Sequence, residues 1–242
     1  MKISVITATY NSEKNLEKCL SSLYSQTYKN FEHIIIDNKS TDMTHSIINN
    51  TSFKDRKFIC EKDNGIYYAL NKGIDCATGD VICVLHSDDF LPNNNVFQNV
   101  VDKFKETQCD GLYGDLQYVS GNKTIRYWKS NKFKKMDLDL GWMPPHPTLY
   151  LKKKVFTNIR YNTKYKISSD YDFIQKVFQN FELYYSSLLL CVMNVGGESN
   201  KSIKNILVKM KEDLQIIHEN ELLTIFTLAC KNLRKIHQFW SK

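Results

Sequence analysis

The chain has 242 residues, 42% of them hydrophobic and 12% aromatic, which is enough apolar material for a sizeable core and excludes a disordered polypeptide. Its formal charge of +7 is unevenly spread: residues 1–121 carry 12 Lys/Arg against 16 Asp/Glu, whereas residues 122–166 carry 12 against 2. No apolar stretch approaches the roughly 20 residues of a spanning helix, residues 1–12 lack the features of an export signal, and seven scattered cysteines without CxxC spacing read as reduced thiols; a cytoplasmic protein is expected.

The first ninety residues alternate in character. Ile3–Thr7 reads as a strand, and Leu16, Leu20 and Leu23 recur at helical spacing. Phe31–Asp37 is a strand, Ser40–Asn50 a helix with Ser40-Thr41-Asp42 as its cap, and Lys57–Glu61 a strand. Ile66–Ala77 is a helix with Ile66, Leu70 and Ile74 on one face, and Val81–His86 a strand that stops at Ser87-Asp88-Asp89. Near-continuous apolar strands joined by amphipathic helices predict a βαβ-wound parallel half. Beyond Pro92 the spacing predicts a helix over Val96–Lys105, a hairpin of Gly111–Val119 and Thr124–Trp128 around Gly121-Asn122, a mixed region to Asn194 containing a helix over Ser169–Phe178, and two amphipathic helices in the last forty residues.

Ligands of open α/β sheets collect outside the carboxyl ends of the strands, which directs attention to Asp37-Asn38 and to Asp88-Asp89. Neither a GxGxxG nor a GxxxxGK[ST] motif is present, arguing against a dinucleotide-dependent dehydrogenase and a P-loop NTPase. Two adjacent carboxylates at a strand end are costly unless they share a cation, such as one bridging a diphosphate; taken alone, Ser87-Asp88-Asp89 reads as readily as the cap of a turn.

The ordered set Val5-Ile6-Thr7-Ala8-Thr9-Tyr10-Asn11, Ser25-Gln26-Thr27, Ile36-Asp37-Asn38-Lys39-Ser40, Asp63-Asn64-Gly65-Ile66-Tyr67, Asn71-Lys72-Gly73, Ala77-Thr78-Gly79-Asp80 and His86-Ser87-Asp88-Asp89 resembles the family 2 glycosyltransferases. The resemblance implies an α/β GT-A fold, a Rossmann-like mixed sheet flanked by helices with C-terminal amphipathic helices. It implies a transferase domain over residues 1–200, with a nucleotide-sugar half to residue 90 and an acceptor half from 91, followed by a helical appendage over 201–242. Carried onto this chain, it implies donor contacts from Thr7, Thr9, Tyr10, Asp37 or its neighbour Asn38, Asp63, Asn71, Lys72 and Asp88. It further implies Mg²⁺ or Mn²⁺ at Asp88 and Asp89, and Asp170 of Ser169-Asp170-Tyr171-Asp172 as the base that takes the acceptor proton. His146, Asp172 and Trp142 are acceptor-side candidates, although a lone histidine is more often structural and Trp142 equally suits packing. Gly196-Gly197 matches a glycine pair of the family.

The expected reaction is inverting transfer of a hexosyl or N-acetylhexosaminyl group from a nucleotide sugar, a UDP-sugar by resemblance, to a glycan hydroxyl. The implied acceptor is a capsule- or O-antigen-like surface glycan on a polyisoprenyl diphosphate, with peripheral contact at the inner face of the cell membrane through the basic segment. A Lys-rich solubilising loop explains that segment equally simply. Two rivals differ in class. A sugar-1-phosphate nucleotidylyltransferase would need a glycine-rich, Arg-bearing loop after the first strand, which Thr7–Ser12 is not. Nucleic-acid binding would use Lys129, Lys132, Lys134 and Lys135 beside Tyr127, Trp128 and Phe133; the position of the basic run between Asp89 and Asp170 favours an anionic acceptor over nucleic acid.

Overall fold

In the computed structural model, which describes residues 1–121, 123–195, 203–220, 222, 227–228 and 230–231, the alternation of the first ninety residues becomes four parallel strands. Ile3–Thr9 (β1), Phe31–Asp37 (β2), Arg56–Cys60 (β3) and Val81–Val84 (β4) lie side by side as β3-β2-β1-β4, connected by Leu16–Tyr24 (α1), Thr44–Asn50 (α2) and Ile66–Cys76 (α3). Alternate side chains enter opposite layers: Ile34 and Ile36 pack with Leu70 and Ile74 of α3, whereas Ile35 between them packs with Leu16 and Leu20 of α1 and Ile48 of α2. Burial on both faces is the reason these strands read as unbroken apolar runs.

The rest of the chain extends the same sheet with mostly antiparallel pairing. Asp89–Phe90 (β5) is followed by Val96–Thr107 (α4), the hairpin Gly111–Ser120 (β6) and Lys123–Trp128 (β7), Tyr150–Lys152 (β8), Ser169–Asn180 (α5), Leu183–Asn194 (β9) and Ile203–Glu219 (α6). Among the described residues the sheet has nine strands, in the order β3-β2-β1-β4-β8-β6-β9-β5, with β7 on β6. β8 runs antiparallel to both β4 and β6, while β9 runs parallel to β6. This mixed, helix-flanked sheet is the expected α/β GT-A architecture.

Some expectations need correcting. The helix expected over Ser40–Asn50 begins at Thr44, because Ser40 gives both its hydroxyl and its backbone N–H to the Asp37 carboxylate. Asp42 instead accepts from the Thr44 N–H and hydroxyl. The strand expected to reach His86 leaves the sheet after Val84. β8 and β9 lie inside the region read only as mixed, since their pairing is with strands distant in sequence. Of the two C-terminal helices, α6 is present, while nearly all of the other falls outside the described residues, as does Gly196-Gly197. α6 is integrated with the domain: Ile216 and Ile217 are buried against Tyr165 and Tyr171, and the Glu212 carboxylate accepts the N–H groups of Lys166, Ile167 and Ser168 ahead of α5. No helix among the described residues is long and apolar enough to cross a membrane.

α3 approaches β1 closely enough to need a glycine: a Cβ on Gly73 would overlap Cγ2 of Ile6, a buried core atom with no room to retreat. Gly73→Ala is therefore expected to lower stability by about 1–3 kcal/mol through overpacking, read as a lower urea midpoint at unchanged slope.

Candidate active site

A cavity of about 600 Å³ opens at the carboxyl ends of the parallel strands. Its walls come from the end of β1 and the loop after it (Ala8 to Ser12), Asn38 after β2, Asp63 after β3, Gly65, Ile66 and Ala69 at the start of α3, and His86, Ser87 and Asp88 after β4. Gly65 has φ 131°, a conformation in which only glycine is unstrained, and it turns the chain into α3 with the helix amino terminus at the cavity.

The loops after β1 and β2 are fastened to each other. The Asp37 carboxylate accepts from the Thr9 hydroxyl (2.8 Å), the Ser40 hydroxyl (2.6 Å) and N–H (2.8 Å), and is paired with His45 Nε2 (2.7 Å). Burial alone would raise its pKa, but these bonds from Ser40, His45 and Thr9 hold it below the usual carboxylate range. Asp37 is thus fully buried and committed to its neighbours, and it is Asn38 that faces the cavity, with Oδ1 accepting the Asp63 N–H at 2.7 Å. Thr9 and Tyr10 also line the cavity, Tyr10 with 62% of its surface exposed. Asp63 accepts from Lys72 Nζ (2.7 Å), which also pairs with Glu61 (2.5 Å).

After Val84 the chain turns through His86, Ser87 and Asp88. Ser87 Oγ lies 2.9 Å from Ser12 Oγ, and the Asp88 carbonyl accepts from Asn194 Nδ2. Asp89, at the start of β5, is 1% exposed, and neither of its carboxylate oxygens has a hydrogen-bond partner. Burial and then the Asp88 charge push its pKa well above the ordinary value. An ionised carboxylate left this way is strongly disfavoured. A divalent cation shared with Asp88 would supply the missing interaction, so the orphaned carboxylate fits the ion that the motif implies.

Asp170 sits in the first turn of α5, its Oδ1 accepting from the Tyr171 N–H. Burial raises its pKa, opposed by the positive charges of Lys209 in α6 and Lys231. His86 connects the two acidic positions: burial lowers its pKa, while Asp88 and Asp170 both act in the other direction. Its ring lies 5.5 Å from that of His146, whose Nε2 is 2.6 Å from the Tyr161 hydroxyl. Burial and then His86 push the pKa of His146 down to about 3, keeping it neutral. His86 lay within the recognised motif without an assigned role, and its contact with His146 joins positions sixty residues apart.

Other candidates are placed away from the cavity. Thr7 donates to the Leu85 carbonyl and bonds His33; Asn71 holds the backbone of Tyr161 through both a donor and an acceptor; Asp172 pairs with Lys176 and accepts from Asn220. Trp142 packs among Tyr113, Phe133 and Phe178 and donates to the Ser130 carbonyl. Phe133 belongs to the same cluster, whereas Lys129, Lys132, Lys134 and Lys135 are exposed.

Residues 4–178 match the family described as glycosyl transferase family 2. A PGL/p-HBAD biosynthesis glycosyltransferase of Mycobacterium bovis is 30% identical over 217 residues, covering 85% of this chain and 82% of that protein. Among solved structures, S. aureus TarS 1–349 in complex with UDP superposes with a TM-score of 0.72 at 22% identity, over 96% of this chain and 69% of that one. The mannosyltransferase PcManGT of Pyrobaculum calidifontis, solved with GDP-Man and Mn²⁺, gives 0.64 at 16% identity, over 99% and 75%. With this match over most of its length and the GT-A sheet beneath it, the chain belongs to glycosyl transferase family 2.

Proposed function

We propose that the enzyme is an inverting, metal-dependent transferase that moves a hexosyl or N-acetylhexosaminyl group from a UDP-sugar to a hydroxyl of a lipid-linked surface glycan. The observation that carries this reading is the placing of two carboxylates, Asp88 on the cavity wall, with Asp89 buried and unpartnered beside it, and Asp170 in the first turn of α5. One can hold the donor's diphosphate end while the other meets the acceptor.

In this reading Thr9, Tyr10 and Asn38 receive the nucleoside. The Asn38 Oδ1 is engaged with Asp63, so its amide Nδ2 is left to donate to a base carbonyl, of which uracil has two. Asp63, with Lys72 behind it, lies on the ribose side. Asp88 and Asp89 would hold Mg²⁺ or Mn²⁺, which would supply Lewis-acid neutralisation of the departing diphosphate. The amino terminus of α3 adds N–H groups and the positive end of its dipole. Asp170, anchored through α6, accepts the acceptor hydroxyl's proton as its oxygen attacks the anomeric carbon, and one displacement inverts that centre. His146 stands neutral on the acceptor side, while Thr7, Asp37, Asn71, Asp172 and Trp142 support the walls.

Residues 1–90 thus serve as the donor half and 91–200 as the acceptor half, with α6 bracing Asp170. The support for UDP is TarS, solved with UDP and with UDP-GlcNAc. The support for a lipid-linked acceptor is the exposed lysines 129, 132, 134 and 135, which suit a diphosphate carrier at the inner, cytoplasmic face of the membrane.

Asp170→Asn is expected to lower kcat by about 10²–10⁴-fold with donor affinity preserved; near-normal transfer overturns the assignment of the base. A base works only in its ionised form, and burial raises the pKa of Asp170. The wild-type rate therefore falls as pH is lowered, through a value above the ordinary carboxylate pKa of about 4, and Asp170→Asn loses that limb. In chelator, Asp89→Asn is expected to raise the melting temperature by removing an unpaired buried charge, and to abolish the stabilisation that Mn²⁺ gives the wild type. A thermal-shift screen of UDP-, GDP- and dTDP-sugars with Mn²⁺ is expected to single out UDP donors; stabilisation by GDP- or dTDP-sugars instead overturns the base assignment.

A further inference from the structure

At the carboxyl ends of β2 and β3, beside α2, three side chains of different chemistry converge. Asp37 ends β2 and Cys60 ends β3, directly opposite each other in the parallel register, while His45 is in the first turn of α2. Asp37 Oδ2 lies 2.7 Å from His45 Nε2, and Cys60 Sγ lies 3.6 Å from each of those atoms. Among the described residues this is the one group of three or more His, Cys, Asp or Glu donors gathered closely enough to hold a single ion.

We propose that Asp37, His45 and Cys60 form a second metal site, separate from Asp88 and Asp89, that takes a zinc-class transition ion. Around a tetrahedral ion with ordinary Zn–S, Zn–N and Zn–O lengths, sulfur stands about 3.5 Å from the other two donors, and nitrogen and oxygen stand about 3.3 Å apart. Both sulfur distances are already in place. Only the oxygen–nitrogen pair must open, by about 0.6 Å, as their direct bond gives way to the ion. A thiolate with an imidazole and one carboxylate is a borderline-soft set, which selects against Mg²⁺ and Ca²⁺. The remaining carboxylate oxygen, Oδ1, is held by the hydroxyls of Thr9 and Ser40, the outer support that orients a ligating carboxylate. Cys60 is exposed and the His45 side chain is 37% exposed, so an ion can enter and water can complete the fourth position. Binding releases the thiol proton to solvent and transfers no electrons.

The consequence reaches the donor cavity, because Asp37 is bonded to Thr9 and followed by Asn38, both in its wall. An ion here clamps β2, β3 and α2 together beneath the base-binding end. The site itself does not depend on the donor proposed above.

The test is titration of the chelator-treated full chain with Co²⁺ alone, followed by absorption spectroscopy. The expected result is one equivalent giving the intense visible bands of tetrahedral cobalt and a thiolate-to-cobalt charge-transfer band that excess Mg²⁺ does not remove and Zn²⁺ does. Cys60→Ser, at an exposed position, loses the charge-transfer band. His45→Ala weakens Co²⁺ binding by more than about tenfold, while Cys109→Ser and Asp88→Asn keep both band and affinity. Absence of the band in the wild type, its survival in Cys60→Ser, its loss in Cys109→Ser or its removal by Mg²⁺ would each overturn the proposal.

Discussion

β4 is hydrogen-bonded to a parallel neighbour on one side and an antiparallel one on the other, and the way it ends decides what the protein can bind. Four residues stay in the sheet; Leu85 still reaches the Ile6 carbonyl through its N–H, and the chain then turns out through His86, Ser87 and Asp88 before Asp89 rejoins the sheet in β5 against β9. That exit puts one carboxylate in the cavity wall and the next into the interior with no partner. The antiparallel half then closes round this point, since β9 pairs with β5 and its Asn194 bonds the Asp88 carbonyl. The topological switch and the acidic pair are therefore one feature, in agreement with the general placing of ligands where strand order changes direction.

Polar networks on either side hold the cavity at fixed shape. The Asp37 carboxylate fastens the β1 and β2 loops, and Tyr67 donates to the Ile167 carbonyl, tying α3 to the segment ahead of α5. Glu212 then satisfies three N–H groups of that segment from α6. Asp170 thus follows a segment held by residues of α3 and of the C-terminal helix, and the positive charges of Lys209 and Lys231 partly offset the effect of its burial. A helix that looks like an appendage in the linear chain acts here as part of the site's frame.

The contrast between an acidic first half and a basic segment also takes a physical form. In the first half Asp37, Asp88 and Asp89 stand at strand ends, where hydrogen bonds stabilise the Asp37 charge and the Asp89 carboxylate has no hydrogen-bond partner within the described protein. In the basic segment Lys129, Lys132, Lys134 and Lys135 are exposed, whereas Tyr127, Trp128 and Phe133 are half-buried, Phe133 packing onto Trp142 and Phe178. A stacking platform of the kind that binds single-stranded nucleic acid needs exposed rings, and none of these three is fully exposed.

Local chemistry made much of this molecule legible from its residues. Apolar runs bounded by turn residues gave the strands β1 to β4 and the helices between them, because strands buried on both faces carry their pattern in adjacent residues. The order of short motifs pointed to the family, to Asp88-Asp89 and to Asp170. What the linear chain could not show is which of two neighbouring polar residues faces the cavity. Asp37 and Asn38 are equally suitable as text, and only the pleat, which sends successive side chains to opposite sides, turned Asp37 toward Ser40 and His45 and left Asn38 in the cavity. Strands β8 and β9, the meeting of His86 with His146, the grip of Glu212 on α5, and the convergence of Asp37, His45 and Cys60 depend on contacts between distant segments. Pairing and packing across such separations are properties of the assembled sheet, so tertiary structure alone decided them.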